Sequence, residues 1–243
     1  MAPSKPTMSA VVPAYNEAPS LAGVVQSVHE AYGDKFSQYE IVIVNDGSTD
    51  DTGKVAEKLA EQDSHVRVIH NPRNMGYGYT FLHGVDAARY EYIQLIPGDG
   101  EIPTSSIEKI ANYAGTADMV IPYVLNFHIR PLARRIISWG YTALLNVLFG
   151  LRLHYYNGPT VNKRDLIKSV NVTTTGFDFQ ARILIRLIKQ KYSFVQVGIM
   201  LEHRQHGKSN LSLRKILNVV KIIPQIFWEI NFAERSSKGK RKT

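Results

Sequence analysis

An α/β fold, with a mainly parallel sheet flanked by helices, is what this chain predicts, and three observations carry the prediction. Short apolar, β-branched runs alternate with segments of helical periodicity through the first half of the sequence. Two of those runs end in turns that carry acids: Val11-Val12-Pro13-Ala14-Tyr15-Asn16-Glu17 and Ile41-Val42-Ile43-Val44-Asn45-Asp46-Gly47-Ser48. A third, Tyr92 to Ile96, runs into Pro97-Gly98-Asp99-Gly100-Glu101. Strands that are apolar throughout belong to sheets covered on both faces, and such open sheets bind ligands at the rim where parallel strands end.

The elements follow in order. Residues 1–7 have no apolar core and read as a loose tail, not as a secretory leader. A strand is predicted over Met8–Pro13, then a helix with Leu21, Val24, Val25 and Val28 on one face and Gly33 as its stop. Glu40–Val44 is the next strand. Ser48 or Thr49 is expected to cap the following helix, with Asp50 and Asp51 in its first turn and Val55 and Leu59 facing inward. Strands follow at Val66–His70, Tyr92–Ile96 and Met119–Ile121, and the Tyr92 strand is expected to emerge beside the one that ends at Asp46.

After Pro122 the pattern changes to two amphipathic segments. Arg134–Leu151 is rich in Ile, Leu, Trp and Phe behind a basic cluster of Arg130, Arg134 and Arg135. Leu213–Phe232 is similar, with Pro224 interrupting it. Neither offers the ~20 largely uncharged residues that a bilayer span requires. Apolar stretches with aromatic members and flanking Lys or Arg suit the membrane interface instead, the alternative being core packing or a dimer contact. The expected organisation is a tail (1–7), one domain (8–211, including the segment 130–151), a C-terminal amphipathic segment (212–233) and a basic tail (234–243).

Composition narrows the function classes. The chain has 243 residues, 44% hydrophobic and 21% charged, which is ordinary for a folded domain. It has no Cys, which excludes disulfides, thiolate zinc sites and Cys nucleophiles. The formal net charge is +8, and His203–Thr243 alone carries ten Lys or Arg against two Glu. Such an end points to a phosphate-bearing partner, with a solvated tail as the plainer reading of Ser236–Thr243. No aromatic-basic nucleic-acid module accompanies it, so a nucleic-acid partner is not expected.

Asp99, between two glycines at a strand end, suits a hard divalent cation, because Mg²⁺ prefers oxygen ligands and shares them with substrate phosphates. Gly98 and Gly100 let a backbone and a phosphate approach closely. His65, His70, His83 and His128 lack metal-ligand spacing and read as loop or surface residues. Gly207-Lys208-Ser209 mimics the end of a P-loop, but that motif needs Gly where Glu202 stands.

Taken in order, "VVPAYNE", "IVNDGSTDDT", "NMGYGYTFLHGVDAARYEYIQLIPGDGE" and "HRQHGKSNL" resemble the inverting glycosyltransferases of family 2, with the Rossmann-like GT-A fold. The likeness covers roughly residues 8 to 211 and is to the branch of dolichyl-phosphate mannose synthase and polyprenyl-phosphate glycosyltransferases. It implies a UDP- or GDP-linked sugar donor, Mg²⁺ or Mn²⁺, and a polyprenyl phosphate acceptor at the cytosolic face of a membrane. By the same resemblance Pro13, Ala14, Tyr15, Glu17, Val44, Asp46 and Gly98 bind the donor nucleotide. Asp99 is the last acid of the family's Asp-x-Asp metal motif, whose first acid falls on Pro97; Glu101 stands where the family often carries Gln, and the two carboxylates are the expected metal ligands. Arg204, Lys208 and Ser209 fall on the motif that grips the diphosphate, with Asn210 replacing its final Lys.

A phosphate acceptor is already largely dianionic at neutral pH and needs no general base. Arg130, Arg134 and Arg135 are the candidates to hold it. Asp178, in "GFDFQ", matches the region where relatives with hydroxyl acceptors carry a base. The alternatives are therefore a saccharide hydroxyl acceptor, served by Asp178, or a noncatalytic nucleotide-sugar binder, which Pro97 would explain.

Overall fold

The computed structural model describes residues 5–203 and 222–233. Its elements are β1 (Thr7–Ala14), α1 (Ala18–Tyr32), β2 (Gln38–Asn45), α2 (Thr52–Gln62), β3 (Val66–His70), α3 (Tyr77–Ala87), β4 (Tyr92–Leu95), α4 (Thr104–Ala111) and β5 (Met119–Val124). They continue with α5 (Leu132–Phe149), β6 (Val161–Lys163), α6 (Arg164–Ser169), α7 (Phe179–Lys189) and β7 (Phe194–Ile199). Residues 222–228 are helical, Pro224 included, and run into a π turn at Glu229–Ala233.

Seven strands form one sheet in the order β3-β2-β1-β4-β6-β5-β7. Every pairing is parallel except those of β6, which runs antiparallel to both β4 and β5. The five predicted strands are present, and β6 and β7 are additional. One is three residues long, and the other is partly exposed along most of its length, so neither writes a continuous apolar run. Strand β4 does not lie beside β2 as the sequence predicts. It pairs with β1, Val11 standing between Val42 of β2 and Leu95 of β4, because the far edge of β2 is already taken by β3.

Period-two alternation explains why the central strands look apolar throughout. Met8, Ala10, Val12, Ile41 and Ile43 join one buried cluster with Leu21, Val24, Val25 and Val28 of α1 and Ile107 and Ile110 of α4. Val11, Val42, Val44, Ile93 and Leu95 face the other way, into a cluster with Phe81 and Val85 of α3, Leu145 and Phe149 of α5, and most of α7. Ile223, Ile226 and Ile230 belong to that second cluster, so the C-terminal helical residues are part of the domain's core.

The helix ends are partly as expected. Gly33 stops α1 at a φ of 41° and returns its N–H to the His29 carbonyl. The cap of α2 differs: Asp51 is its N-cap, and the Asp50 carboxylate receives the Thr52 N–H at 2.9 Å. Ser48 and Thr49 are occupied elsewhere. The Ser48 hydroxyl accepts from Asn16 N at 3.0 Å, and Thr49 N donates to Asn16 Oδ1 at 2.8 Å.

Helix α3 sits close on the sheet because Gly84 has no side chain. A Cβ there would overlap Val11 Cγ1 and press on Val44 Cγ2 at 3.0 Å. Gly84→Val is expected to lower the unfolding free energy by about 1–3 kcal/mol, the usual cost of overpacking, as measured by urea denaturation.

Candidate active site

Three parallel strands, β2, β1 and β4, deliver their C-terminal turns to one rim, and backbone hydrogen bonds knit those turns together. Asp46 N donates to Ala14 O at 2.9 Å, and Gly98 N donates to Pro13 O at 3.2 Å. Side chains tighten the weave. Glu17 N donates to Thr52 Oγ1 at 2.8 Å, and the Ser20 hydroxyl donates to Gly98 O at 2.8 Å while lying 3.5 Å from Glu17 Oε2. Glu17 is thus tied to the turn that carries Asp99.

Asp46 takes a different position from its neighbours. Its carboxylate is buried and accepts from Asn71 Nδ2 at 2.8 Å, Met75 N at 2.9 Å and Gly76 N at 3.1 Å. It therefore pins the 71–76 loop that opens α3. Gly47 follows at a φ of 65°, and a Cβ there would collide with the Arg73 backbone, so the turn and the loop are in direct contact. Val44 is fully buried beneath α3 and contributes no side chain to the rim. Pro13, Ala14 and Gly98 are buried, whereas Tyr15 is exposed beside them.

The acid turn after β4 meets a basic one. Asp99 Oδ1 accepts the Glu101 N–H at 3.1 Å, which closes the turn. Glu101 Oε2 is paired at 2.8 Å with Arg130 Nη2, in the approach to α5. The Nε and Nη1 atoms of Arg130 are buried without a hydrogen-bond partner among the described residues. Arg134, one turn into α5, feels the charges of Glu101 and Asp99; burial, and then the charge of Arg130, hold its guanidinium below its usual pKa. The structure brings Arg130 and Arg134 to the acids and leaves Arg135 on the exposed side of the helix.

Two residues that the sequence reading passed over also belong here. Tyr77, at the start of α3, has its phenol pushed upward in pKa by burial and then by the nearby Asp99, Glu101 and Tyr155. Its ring stacks on the exposed Phe177 at 5.1 Å between centroids. Asn71 joins Asp46 to His83 through a 2.8 Å bond on each side. A signal for the first existed in the Gly76-Tyr77-Gly78 string. Gly78 N donates to Thr175 O at 3.1 Å, and a Cβ at Gly78 would lie 2.6 Å from the carbonyls of Thr174 and Gly176. Only glycine allows the start of α3 to rest against the loop that carries Asp178.

Asp178 itself is buried and spoken for. Arg182 Nε donates to one oxygen and Thr174 Oγ1 donates to the other at 3.0 Å. Arg182 is also paired with Glu229 of the C-terminal turn, which lies 3.4 Å from Arg186 as well. Arg204, Lys208 and Ser209 lie outside the described residues. The chain reaches them from beside the acid turn, where Glu202 N donates to Glu101 O at 3.0 Å.

The side chains of Asp99 and Glu101 offer oxygen donors alone, and the side chain of Pro97 offers none. Among the described residues no group of three or more His, Asp or Glu is placed to hold an ion. The residues fit a hard divalent cation that shares its shell with a bound diphosphate and water, and not a cage made by the protein alone.

The family model for glycosyl transferase family 2 matches residues 9–170, which include the C-terminal ends of all three strands of this rim. The chain belongs to that family. Among curated members, the polyprenol monophosphomannose synthase of Mycolicibacterium smegmatis is 28% identical over 215 residues, covering 83% of this chain and 80% of the relative. The undecaprenyl-phosphate mannosyltransferase of Micrococcus luteus is 24% identical over 216 residues, covering 83% of this chain and 86% of the relative. In architecture, this family 2 chain is similar to glucosyl-3-phosphoglycerate synthase from Mycobacterium tuberculosis, crystallised with Mn²⁺, UDP and glucosyl-3-phosphoglycerate. The TM-score is 0.68 at 18% identity, over 92% of this chain and 79% of that one.

Because Asp46 satisfies three donors at once, Asp46→Ala is expected to cost about 1–3 kcal/mol, the penalty for stranded buried polar groups. Denaturant unfolding measures it, and hydrogen exchange should show the loss centred on Met75 and Gly76.

Proposed function

We propose that this glycosyltransferase moves a sugar from a UDP- or GDP-linked donor to a polyprenyl phosphate, with inversion, at the cytosolic surface of a membrane. One juxtaposition supports the reading above the rest. Arg130 and Arg134, with two guanidinium nitrogens of Arg130 unpartnered among the described residues, stand beside the acid turn at the head of a helix whose outer face is apolar. On α5, Leu132, Ile136, Trp139 and Val147 recur at helical spacing and are exposed, Trp139 at 72% and Val147 at 80%. Leu145 and Phe149, on the inner face, are core residues. No helix among the described residues is long and apolar enough to cross a membrane. An apolar stripe beside phosphate-binding cations suits an acceptor whose phosphate is polar and whose tail stays in lipid.

The chemistry follows from charge. The acceptor phosphate oxygen attacks the anomeric carbon from the face opposite the donor diphosphate, a carbon–oxygen bond forms as the bond to the leaving diphosphate breaks, and no proton needs removal. The obstacle is repulsion between two anions. Arg130 and Arg134 lower it by holding the acceptor phosphate in line, and Arg204 with Lys208 serves the leaving group. Asp99 and Glu101 would hold Mg²⁺ or Mn²⁺, which when bound withdraws charge from the diphosphate. Glu17 and Tyr15 border the nucleotide, and Asp46 acts from beneath by fixing the 71–76 loop. Asp178, with both oxygens engaged, positions its loop; a hydroxyl acceptor would lack a base there.

Incubation with labelled UDP- and GDP-sugars, a short polyprenyl phosphate and Mn²⁺ is expected to carry label into the organic phase. Asp99→Asn should reduce that transfer by roughly two to four orders of magnitude. Label appearing solely in water-soluble saccharide would replace the acceptor assignment. The chain is also expected to sediment with anionic liposomes and to be released by salt, and Ile136→Asp with Trp139→Asp should weaken that partition by about tenfold or more.

A further inference from the structure

Glu101 is claimed twice. Its Oε2 is bonded to Arg130 Nη2 at 2.8 Å, in a pair whose side chains are only 11% and 17% exposed for Arg130 and Glu101. The same residue closes the Asp99 turn through its main-chain N–H, and its carboxylate is the second oxygen donor that the proposed function gives to a divalent ion at the end of β4. A divalent ion on its other oxygen would set two cations on one carboxylate in a site poor in water, and their repulsion puts the two partners in competition for Glu101. Arg130 is claimed only in part. With Nε and Nη1 buried and unpartnered among the described residues, it keeps two donors of a rigid fork unused, an arrangement that costs free energy until a planar or tetrahedral oxyanion fills it. While Glu101 stays against Arg130, its negative charge opposes that oxyanion.

We infer that Glu101 is exchanged between two cations: it neutralises Arg130 while the donor site is empty, and it turns to the divalent ion that arrives with the donor diphosphate, which releases Arg130 to an incoming phosphate monoester. This rests on the metal-dependent, phosphate-acceptor reading above and adds an order to it. The donor and its ion bind first, and their arrival completes the acceptor subsite. Arg134, beside the pair, contributes charge to the same subsite throughout.

The test measures binding on the full chain with two probes, Mn²⁺ followed by the electron paramagnetic resonance of the free ion, and inorganic phosphate followed by calorimetry. Arg130→Gln should tighten Mn²⁺ by roughly tenfold, a coupling usual for groups in contact, and Glu101→Gln should tighten metal-free phosphate by a similar factor. In a double-mutant cycle the two changes should not add for Mn²⁺, since each acts through the other. In the unaltered chain, Mn²⁺ with UDP or GDP should tighten phosphate. Should Arg130→Gln fold poorly by circular dichroism, Arg130→Lys serves: it should leave Mn²⁺ binding near that of the unaltered chain and weaken phosphate. Unchanged or weaker Mn²⁺ binding in Arg130→Gln, additivity in the cycle, or undiminished phosphate binding in Arg130→Lys overturns the exchange alone. An unaltered chain that takes up no Mn²⁺, with or without either nucleotide, defeats the metal-dependent reading and the exchange together.

Discussion

The parallel alignment of β2, β1 and β4 is the constraint on which the rest depends. Parallel neighbours in matched register must end together, and here their ends are locked by main-chain bonds from Asp46 to Ala14 and from Gly98 to Pro13. Among the described residues, none of the rim acids is carried by a long free loop. Glu17, the Asp46 turn and Asp99 each leave a strand within a few residues, so their positions inherit the rigidity of a sheet buried on both faces. Loops placed on such a scaffold hold charged groups close together at an entropic cost that the core has already met.

Much of this was legible in the residues, for a physical reason. Strands covered on both faces have no polar side to disguise them, so Ile41–Val44 and Tyr92–Ile96 stand out, and the turns that follow reveal the rim. What escaped notice was set by contacts distant in sequence. Strand β6 has three residues and exists because β4 and β5 flank it; the partly exposed β7 is defined by its register with β5. The order of strands was misjudged at β4 because periodicity does not encode adjacency. The three donors that surround Asp46 come from residues 71–76, whose approach no local pattern announces. The pairing of Glu101 with Arg130 was equally hidden, since the two were assigned to different ligands and are 29 positions apart.

Helix α5 answers a question the sequence left open, whether its apolar residues are core or interface. Its inner side is core, and its outer side is exposed and apolar. Leu145 and Phe149 pack inward while Trp139 and Val147 face out, so the apolar arc extends beyond the face that the core covers. Its N-terminal turn then lies where two arginines meet the acid turn, so that one helix joins the polar chemistry of the rim to an apolar outer surface.

The ion pairs of Glu229 bear on how the molecule is divided for study. Cutting the chain after residue 203, at the end of the sheet, would look like a clean way to obtain a minimal soluble fragment. It would leave Arg182 and Arg186, both more than nine-tenths buried, without the counter-ion they share, and would strip Ile223, Ile226 and Ile230 from the second core cluster. Arg182 is also the partner of Asp178, so the wound would reach the loop at the start of α7. The smallest autonomous unit therefore extends through the C-terminal helix, and a shortened recombinant product that misbehaves would say more about this missing clasp than about the chemistry at the rim.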